Sequence, residues 1–202
     1  MIRHVLLDAD GVVQHMPGGW VAAVERQLDV DAEEFWDLAT RDEVACLRGD
    51  GDFLEVLSGH LRALGASVTA EDLHRAVWRS VQVEPSSVEL VHALRDAGLA
   101  VHLGTNQETH RAAYMRTELG YDELFDESFY SCELGAAKPD AEFFAAVLDR
   151  LGSAAPEVLF VDDSERNVVA ARECGLAAEH WQIEDGIAVL HERLAGHGLA
   201  FS

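Results

Sequence analysis

The sequence predicts an α/β protein: a doubly wound parallel sheet with an α-helical subdomain inserted after its first strand. Three observations carry this. Short apolar runs repeatedly end in polar clusters, those runs alternate with helix-like stretches over residues 84–202, and residues 14–83 interrupt the alternation with helical patterning alone. Alternating strand and helix is the pattern of βαβ units, which build parallel sheets covered by helices on both faces.

Arg3-His4-Val5-Leu6-Leu7-Asp8 reads as a buried strand whose C-terminal end is polar. Residues 14–83 show no convincing strand. They hold helix-like runs near 18–29, 32–46, 52–64 and 70–81, with Thr69 placed to N-cap the last. A helix over about 86–97 follows, closed by Gly98, and then the strand Leu99–Gly104 before Thr105-Asn106. Further helices are expected at 107–119, 140–151 and 164–174, closed by Gly120, Gly152 and Gly175 where a left-handed C-cap is needed. The strand Glu157–Val161 precedes Asp162-Asp163, and weaker strands are expected at Ser128–Cys132 and Ala177–Trp181. The domain reading is a core of residues 1–13 and 84–202 with a helical cap at 14–83.

With 202 residues, 49% hydrophobic and 26% charged, the chain has an ordinary globular mixture that can bury a core. Fifteen basic against 37 acidic residues give a net charge of −22, which repels phosphate backbones and anionic lipid, so neither nucleic acid nor membrane is an expected partner. Cys46, Cys132 and Cys174 are odd in number and form no CxxC pair, and they read as thiols in a reducing compartment. The opening apolar run meets Asp8 before an export signal could form, and no run approaches the roughly 18 residues of a membrane span. A cytoplasmic location is therefore expected. Oligomeric state stays open.

In Asp8-Ala9-Asp10-Gly11 two carboxylates stand two residues apart, so at an extended strand end they project to the same side, beyond the sheet edge where open α/β sheets bind ligands. The plain alternative is a solvated Asp-Gly turn. Asp162-Asp163-Ser164 falls on that same edge, where one acid could instead N-cap the next helix. Four converging carboxylates would repel by on the order of 4 kcal/mol per pair near 4 Å at an effective dielectric of about 20. A divalent cation would offset this, and oxygen-only ligands favour magnesium over zinc. Thr105-Asn106 offers a hydroxyl and backbone amides that could hold a phosphate or sulfate, or could simply cap a helix. Lys138, in Gly135-Ala136-Ala137-Lys138-Pro139-Asp140, is the only lysine beside fourteen arginines. A compact ammonium there could reach an anion in the crevice.

The order DxDG, Thr-Asn after a strand, Lys-Pro, and Asp-Asp after a strand resembles the haloacid dehalogenase-like (HAD) superfamily, across nearly the whole chain. The closest likeness is to small helical-capped phosphatases, whose last motif reads Asp-Asp with a downstream Asn, here Asp162-Asp163-Ser164-Glu165-Arg166-Asn167. The resemblance implies a Rossmann-like core with an inserted cap and hydrolysis of a small phosphorylated metabolite. It implies that Asp8 is the nucleophile forming an aspartyl-phosphate and that Asp10 is the general acid and then base. Thr105 and the Asn106 amide would hold the phosphoryl oxygens and Lys138 would neutralise them. Mg2+ would be held by Asp8, the Asp10 backbone carbonyl and Asp163, with Asp162 a second or outer ligand. Val12 stands where many relatives carry Thr. Relatives that cleave carbon–halogen bonds lack the second Asp, so Asp10 points to phosphate chemistry.

Two rivals remain at this level: a phosphomutase using the same aspartyl-phosphate, and a silent HAD-fold binding protein. The ten histidines show no metal spacing, and Asp50-Gly51-Asp52 has too few acids in register for a calcium loop. Trp20, Trp36 and Trp78 read as packing residues of the helical insertion, and Arg41 and Arg48 as residues that could approach a substrate.

Overall fold

A computed structural model of the protein describes residues 1–200. Strand β1 (His4–Leu7) leads through β2 (Gln14–His15) to four helices, α1 (Trp20–Glu25), α2 (Ala32–Glu43), α3 (Phe53–Leu64) and α4 (Ala70–Val77), and returns through β3 (Gln82–Val83). Then follow α5 (Pro85–Asp96), β4 (Ala100–Thr105), α6 (Thr109–Thr117), α7 (Tyr121–Leu124), β5 (Glu127–Tyr130) and α8 (Ser131–Leu134). The chain continues with α9 (Ala141–Leu151), β6 (Val158–Asp162), α10 (Glu165–Glu173), β7 (Ala177–His180) and α11 (Ile187–Gly196). The sheet is parallel throughout, in the order β5-β4-β1-β6-β7.

β1 is central because its residues are apolar on both faces. Val5 and Leu7 enter one core with Leu159 and Val161 of β6, covered by Leu90 and Leu94 of α5 and Leu190 and Leu194 of α11. Leu6 points the other way, joining Val158, Phe160, Phe143, Phe144 and Val168 under α9 and α10. This period-2 division of one strand between two cores gives the three-layer α/β/α sandwich of a doubly wound fold. Gly104 in β4 permits the tight packing: a Cβ there would lie 2.8 Å from Leu6 Cδ1. With Leu7 paired to Leu103 and to Val161, the next residues of three adjacent strands, Asp8, Gly104-Thr105 and Asp162, emerge side by side at the carboxyl edge.

Helices α1–α4 carry a third hydrophobic cluster of their own, including Val24, Phe35, Phe53, Leu57, Leu61, Leu73, Val77 and Trp78. Thr69 N-caps α4, its Oγ1 accepting from the Asp72 amide at 3.1 Å. Trp36 stacks on both Trp20 and Trp78 at 5.5 and 5.6 Å between centroids, so the three tryptophans form a packed aromatic column. The strandless reading of residues 14–83 is corrected at its two ends. Gln14 pairs with Val83 and His15 with Gln82 in an antiparallel ribbon through which the chain leaves and re-enters the core. Two residues per strand are too few to print an alternation in sequence. Among the described residues no helix is long and apolar enough to cross a membrane.

Candidate active site

Asp8 is the first residue past β1; its amide donates to the Val161 carbonyl at 2.9 Å, which fixes the turn into Ala9. Its side chain is almost wholly buried and accepts an ion pair from Lys138 Nζ at 2.8 Å. The same ammonium donates to Asp162 Oδ2 at 2.7 Å and lies 5.3 Å from the centre of the Phe160 ring. The lone lysine of the chain thus bridges the ends of β1 and β6. Its loop is braced by Asn106: the side-chain amide donates to the Lys138 carbonyl and its oxygen accepts the Lys138 N–H, both at 2.8 Å.

Asp162 and Asp163 are adjacent yet differently used. Asp162 is fully buried, its oxygens taken by Lys138, by the Ser164 amide at 2.8 Å and by Asn167 Nδ2 at 3.0 and 3.1 Å. Asp163 is partly open, and its carboxylate receives no side-chain donor among the described residues. It packs against Gly11, whose φ of +77° and lack of a side chain make room: a Cβ there would come within 2.4 Å of Asp163 Oδ2. Asp8, Asp162 and Asp163 each present an oxygen within 4.8 Å of the others.

The electrostatics of the cluster suit a further cation. Burial pushes the Asp8 carboxyl up to about 8, with Asp162 and Asp163 adding to the shift and Lys138 opposing it. Burial, then Asp162, raises Asp163 to about 6. Burial works against the Lys138 ammonium, but Asp162 and Asp8 outweigh it and hold its pKa above the ordinary value. One cation facing three close carboxylates is short of neutrality. The three oxygen donors, free of nitrogen and sulfur, suit Mg2+.

Asp10 stands apart from the three carboxylates. Arg111 holds it bidentately, NH2 to Oδ1 and NH1 to Oδ2, both at 2.7 Å, and Gln14 Nε2 and Gln107 Nε2 donate at 2.8 and 3.1 Å. Burial raises its pKa, yet the Arg111 charge and these hydrogen bonds outweigh burial and keep the carboxyl below its usual value. Thr105, buried at the end of β4, accepts from Gln107 Nε2 at 3.1 Å. Arg111, Gln107 and Gln14 escaped the reading of the sequence. Gln107 precedes α6, and Asp10 and Gln14 lie outside any helix, so no helical spacing in the sequence marks them.

The helical insertion is docked over this edge. Asp52 pairs with His110 at 2.9 Å, buried His74 with buried Glu108 at 2.9 Å, and Arg48 with Asp140 at 2.5 Å. Arg48 is therefore engaged by the residue two beyond Lys138, whereas Arg41 pairs on the surface with Asp42.

A family model described as haloacid dehalogenase-like hydrolase matches residues 2–175. The chain belongs to this family. Among relatives of this HAD hydrolase, a phosphoglycolate phosphatase of Rhodospirillum rubrum is 29% identical over 192 residues, covering 87% of this chain and 78% of the relative. The sesquiterpene phosphatase astK of Aspergillus oryzae is 36% identical over 104 residues, where the match spans about half of each chain: 51% of this one and 52% of astK. Among solved structures, a predicted HAD-like hydrolase from Porphyromonas gingivalis superimposes with a TM-score of 0.81 at 20% identity, covering 96% and 98% of the two chains. An HAD-family enzyme from Bacteroides thetaiotaomicron, solved with magnesium and inorganic phosphate, gives 0.76 at 22% identity over 89% and 93%. These last two likenesses show the fold: the HAD α/β sheet with its flanking helices.

Proposed function

We propose that this HAD hydrolase is a Mg2+-dependent phosphatase that cleaves a small phosphate monoester (a sugar phosphate, a nucleotide or a related metabolite) through an aspartyl-phosphate on Asp8. The observation that carries the reading is the Lys138 ammonium set between Asp8 at 2.8 Å and Asp162 at 2.7 Å, with Asp163 at the same edge. Phosphatase-named relatives support it, and so does the Mg2+ and phosphate complex of a structural neighbour.

In the first half-reaction an Asp8 oxygen attacks phosphorus, the bond from phosphorus to the leaving oxygen breaks, and Asp10, which must first take up a proton against the Arg111 charge, delivers that proton to the leaving oxygen. In the second, Asp10 takes a proton from water as the water oxygen attacks phosphorus, and the bond to Asp8 breaks to release phosphate. Thr105 Oγ1 and the Asn106 backbone N–H hold the phosphoryl oxygens. Lys138 neutralises them together with Asp8, and Asp162, held by the Ser164 amide and Asn167 Nδ2, aims the ammonium. Asp8, Asp163 and the Asp10 backbone carbonyl are the residues that would hold Mg2+, with Asp162 behind them. Bound there, the ion would offset the charge of the carboxylates and of the incoming phosphoryl group. Residues 1–13 and 84–202 act as the catalytic core, and residues 14–83 as a cap that excludes water during the first step and selects the leaving group.

Phosphate release from p-nitrophenyl phosphate and a panel of sugar and nucleotide monophosphates tests this, in Mg2+, in EDTA and for Asp8→Asn. Release that needs Mg2+ and vanishes in Asp8→Asn is expected. Absence of release from every ester by the folded protein would sink the reading.

A further inference from the structure

Arg111 is built into two parts of the molecule at once. It lies on α6, one turn past the Thr105-Asn106 corner, and its guanidinium is almost fully buried while the Asp10 side chain it grips is 29% exposed. The fork therefore approaches from beneath and leaves the outer side of Asp10 open to a reactant. NH1 and NH2 bind the two Asp10 oxygens, and NH1 also donates to Gln107 Oε1 at 3.0 Å. Nε donates to the Trp78 carbonyl at 2.7 Å, and the guanidinium lies 4.9 Å from the centre of the Trp20 ring. Trp78 and Trp20 both belong to the insertion, joined by Trp36 stacked on each. The remaining support for Asp10 also comes from the hinge. Gln14, in β2, donates to Asp10 while accepting from the buried Tyr121 hydroxyl at 2.7 Å.

We propose that Arg111 is the positioning residue for Asp10, and that it transmits the seating of the helical insertion to the orientation of that carboxylate. The claim rests on the phosphatase reading, in which Asp10 is the proton-transfer group. A planar fork fixed at its stem by a backbone carbonyl and at its face by an aromatic ring can set both position and tilt of a carboxylate; an ammonium cannot. Displacing the insertion moves the Trp78 carbonyl and the Trp20 ring together, and the guanidinium with them. Only when the insertion is seated does Asp10 hold the geometry seen here. Proton transfer to the leaving group is thereby linked to a closed site, from which bulk water is excluded during the first half-reaction.

The test is a double-mutant cycle on kcat with an alkyl phosphate, whose leaving group needs a proton. Arg111→Lys keeps the buried charge and removes the fork. It is expected to lower kcat by about a hundredfold, the scale of a 1 Å misplacement, with KM nearly unchanged. In an Asp10→Asn background the same change is expected to cost almost nothing, because Arg111 acts through Asp10. Trp20→Leu, which removes the ring beneath the guanidinium from a partly exposed position, is expected to show a smaller loss that likewise disappears in Asp10→Asn. It carries the test if Arg111→Lys does not fold. Losses that multiply unchanged across the two backgrounds, or variants that turn over like the parent, would overturn the proposal while leaving the phosphatase reading intact. A parent protein with no Asp8-dependent hydrolysis would overturn both.

Discussion

Replacing Lys138 with methionine keeps the length of the side chain and deletes its charge, leaving Asp8 and Asp162 buried with no cation between them. At an effective dielectric of about 20, each Lys–Asp pair at 2.7–2.8 Å carries a gross attraction of about 6 kcal/mol. Much of that is cancelled by the cost of burying the ammonium. What the variant exposes, at a pH well above 8 where Asp8 keeps its charge, is the repulsion between carboxylates whose oxygens lie within 4.8 Å, at most about 3.5 kcal/mol on the same scale; nearer neutrality Asp8 takes up a proton and relieves it. That figure agrees with the roughly 3–5 kcal/mol lost when one partner of a buried pair is removed, and it is a large part of the 5–15 kcal/mol typical of a domain. At such a pH Lys138→Met is thus expected to shift the urea midpoint in EDTA strongly downward, followed by tryptophan fluorescence and far-ultraviolet circular dichroism. Saturating Mg2+ is expected to recover part of the loss, because an ion at the carboxylates takes over some of the missing charge. A variant as stable as the parent in EDTA would show that the ammonium does not offset the acidic edge, and the electrostatic argument for the metal would fall with it.

Gly11→Ala places a Cβ 2.4 Å from Asp163 Oδ2 at a φ of +77°, so it should raise the Mg2+ concentration for half-maximal activity by about tenfold or more, read from a metal titration. Asn106→Ala removes both 2.8 Å hydrogen bonds that brace the Lys138 loop; stability should fall by about 1–3 kcal/mol in urea unfolding and kcat should fall with it. His102 is held neutral by burial, then by neighbouring His4, with its pKa lowered to about 4. The unfolded chain, with an imidazole near 6.5, binds more protons at this site between these values, so the contribution of His102 to stability is full above pH 6.5 and falls by about 1.4 kcal/mol per pH unit on acidification, about 3 kcal/mol by pH 4, against the opposite slope of the raised Asp8 and Asp163. His102→Asn should flatten that slope in denaturation midpoints measured at about pH 7 and pH 4.5; an unchanged slope would assign the acid sensitivity to other groups.

The parts legible in sequence were those where a local pattern answers to one physical demand. β1 declares itself because a central parallel strand must be apolar on both faces, and Val5, Leu6 and Leu7 are. Thr69 marks the start of α4 because the Asp72 amide needs an acceptor there. Asp8, Thr105, Asp162 and Lys138 could be gathered on one edge because three of them end strands and the fourth is the only lysine. The ribbon of β2 and β3 escaped because pairing two residues with two others, nearly seventy positions away, leaves no periodic trace. Arg111 escaped for a related reason. Its partners Asp10, Trp20 and Trp78 are scattered along the chain, and an arginine among fourteen gives no local hint that it is buried. The different uses of Asp162 and Asp163 likewise depend on Lys138 and Asn167 closing on one carboxylate and Gly11 making room for the other.

The claim at the centre of this account is that Asp8 carries the phosphoryl group. Mixing the protein with Mg2+ and a hydrolysed ester, quenching in acid within the first turnover and mapping peptides by mass spectrometry tests it directly. The account predicts one added phosphoryl group on the peptide containing Asp8, absent from Asp8→Asn and lost on longer incubation with water. Turnover with no phosphorylated Asp8, or with the group on another residue, would contradict it.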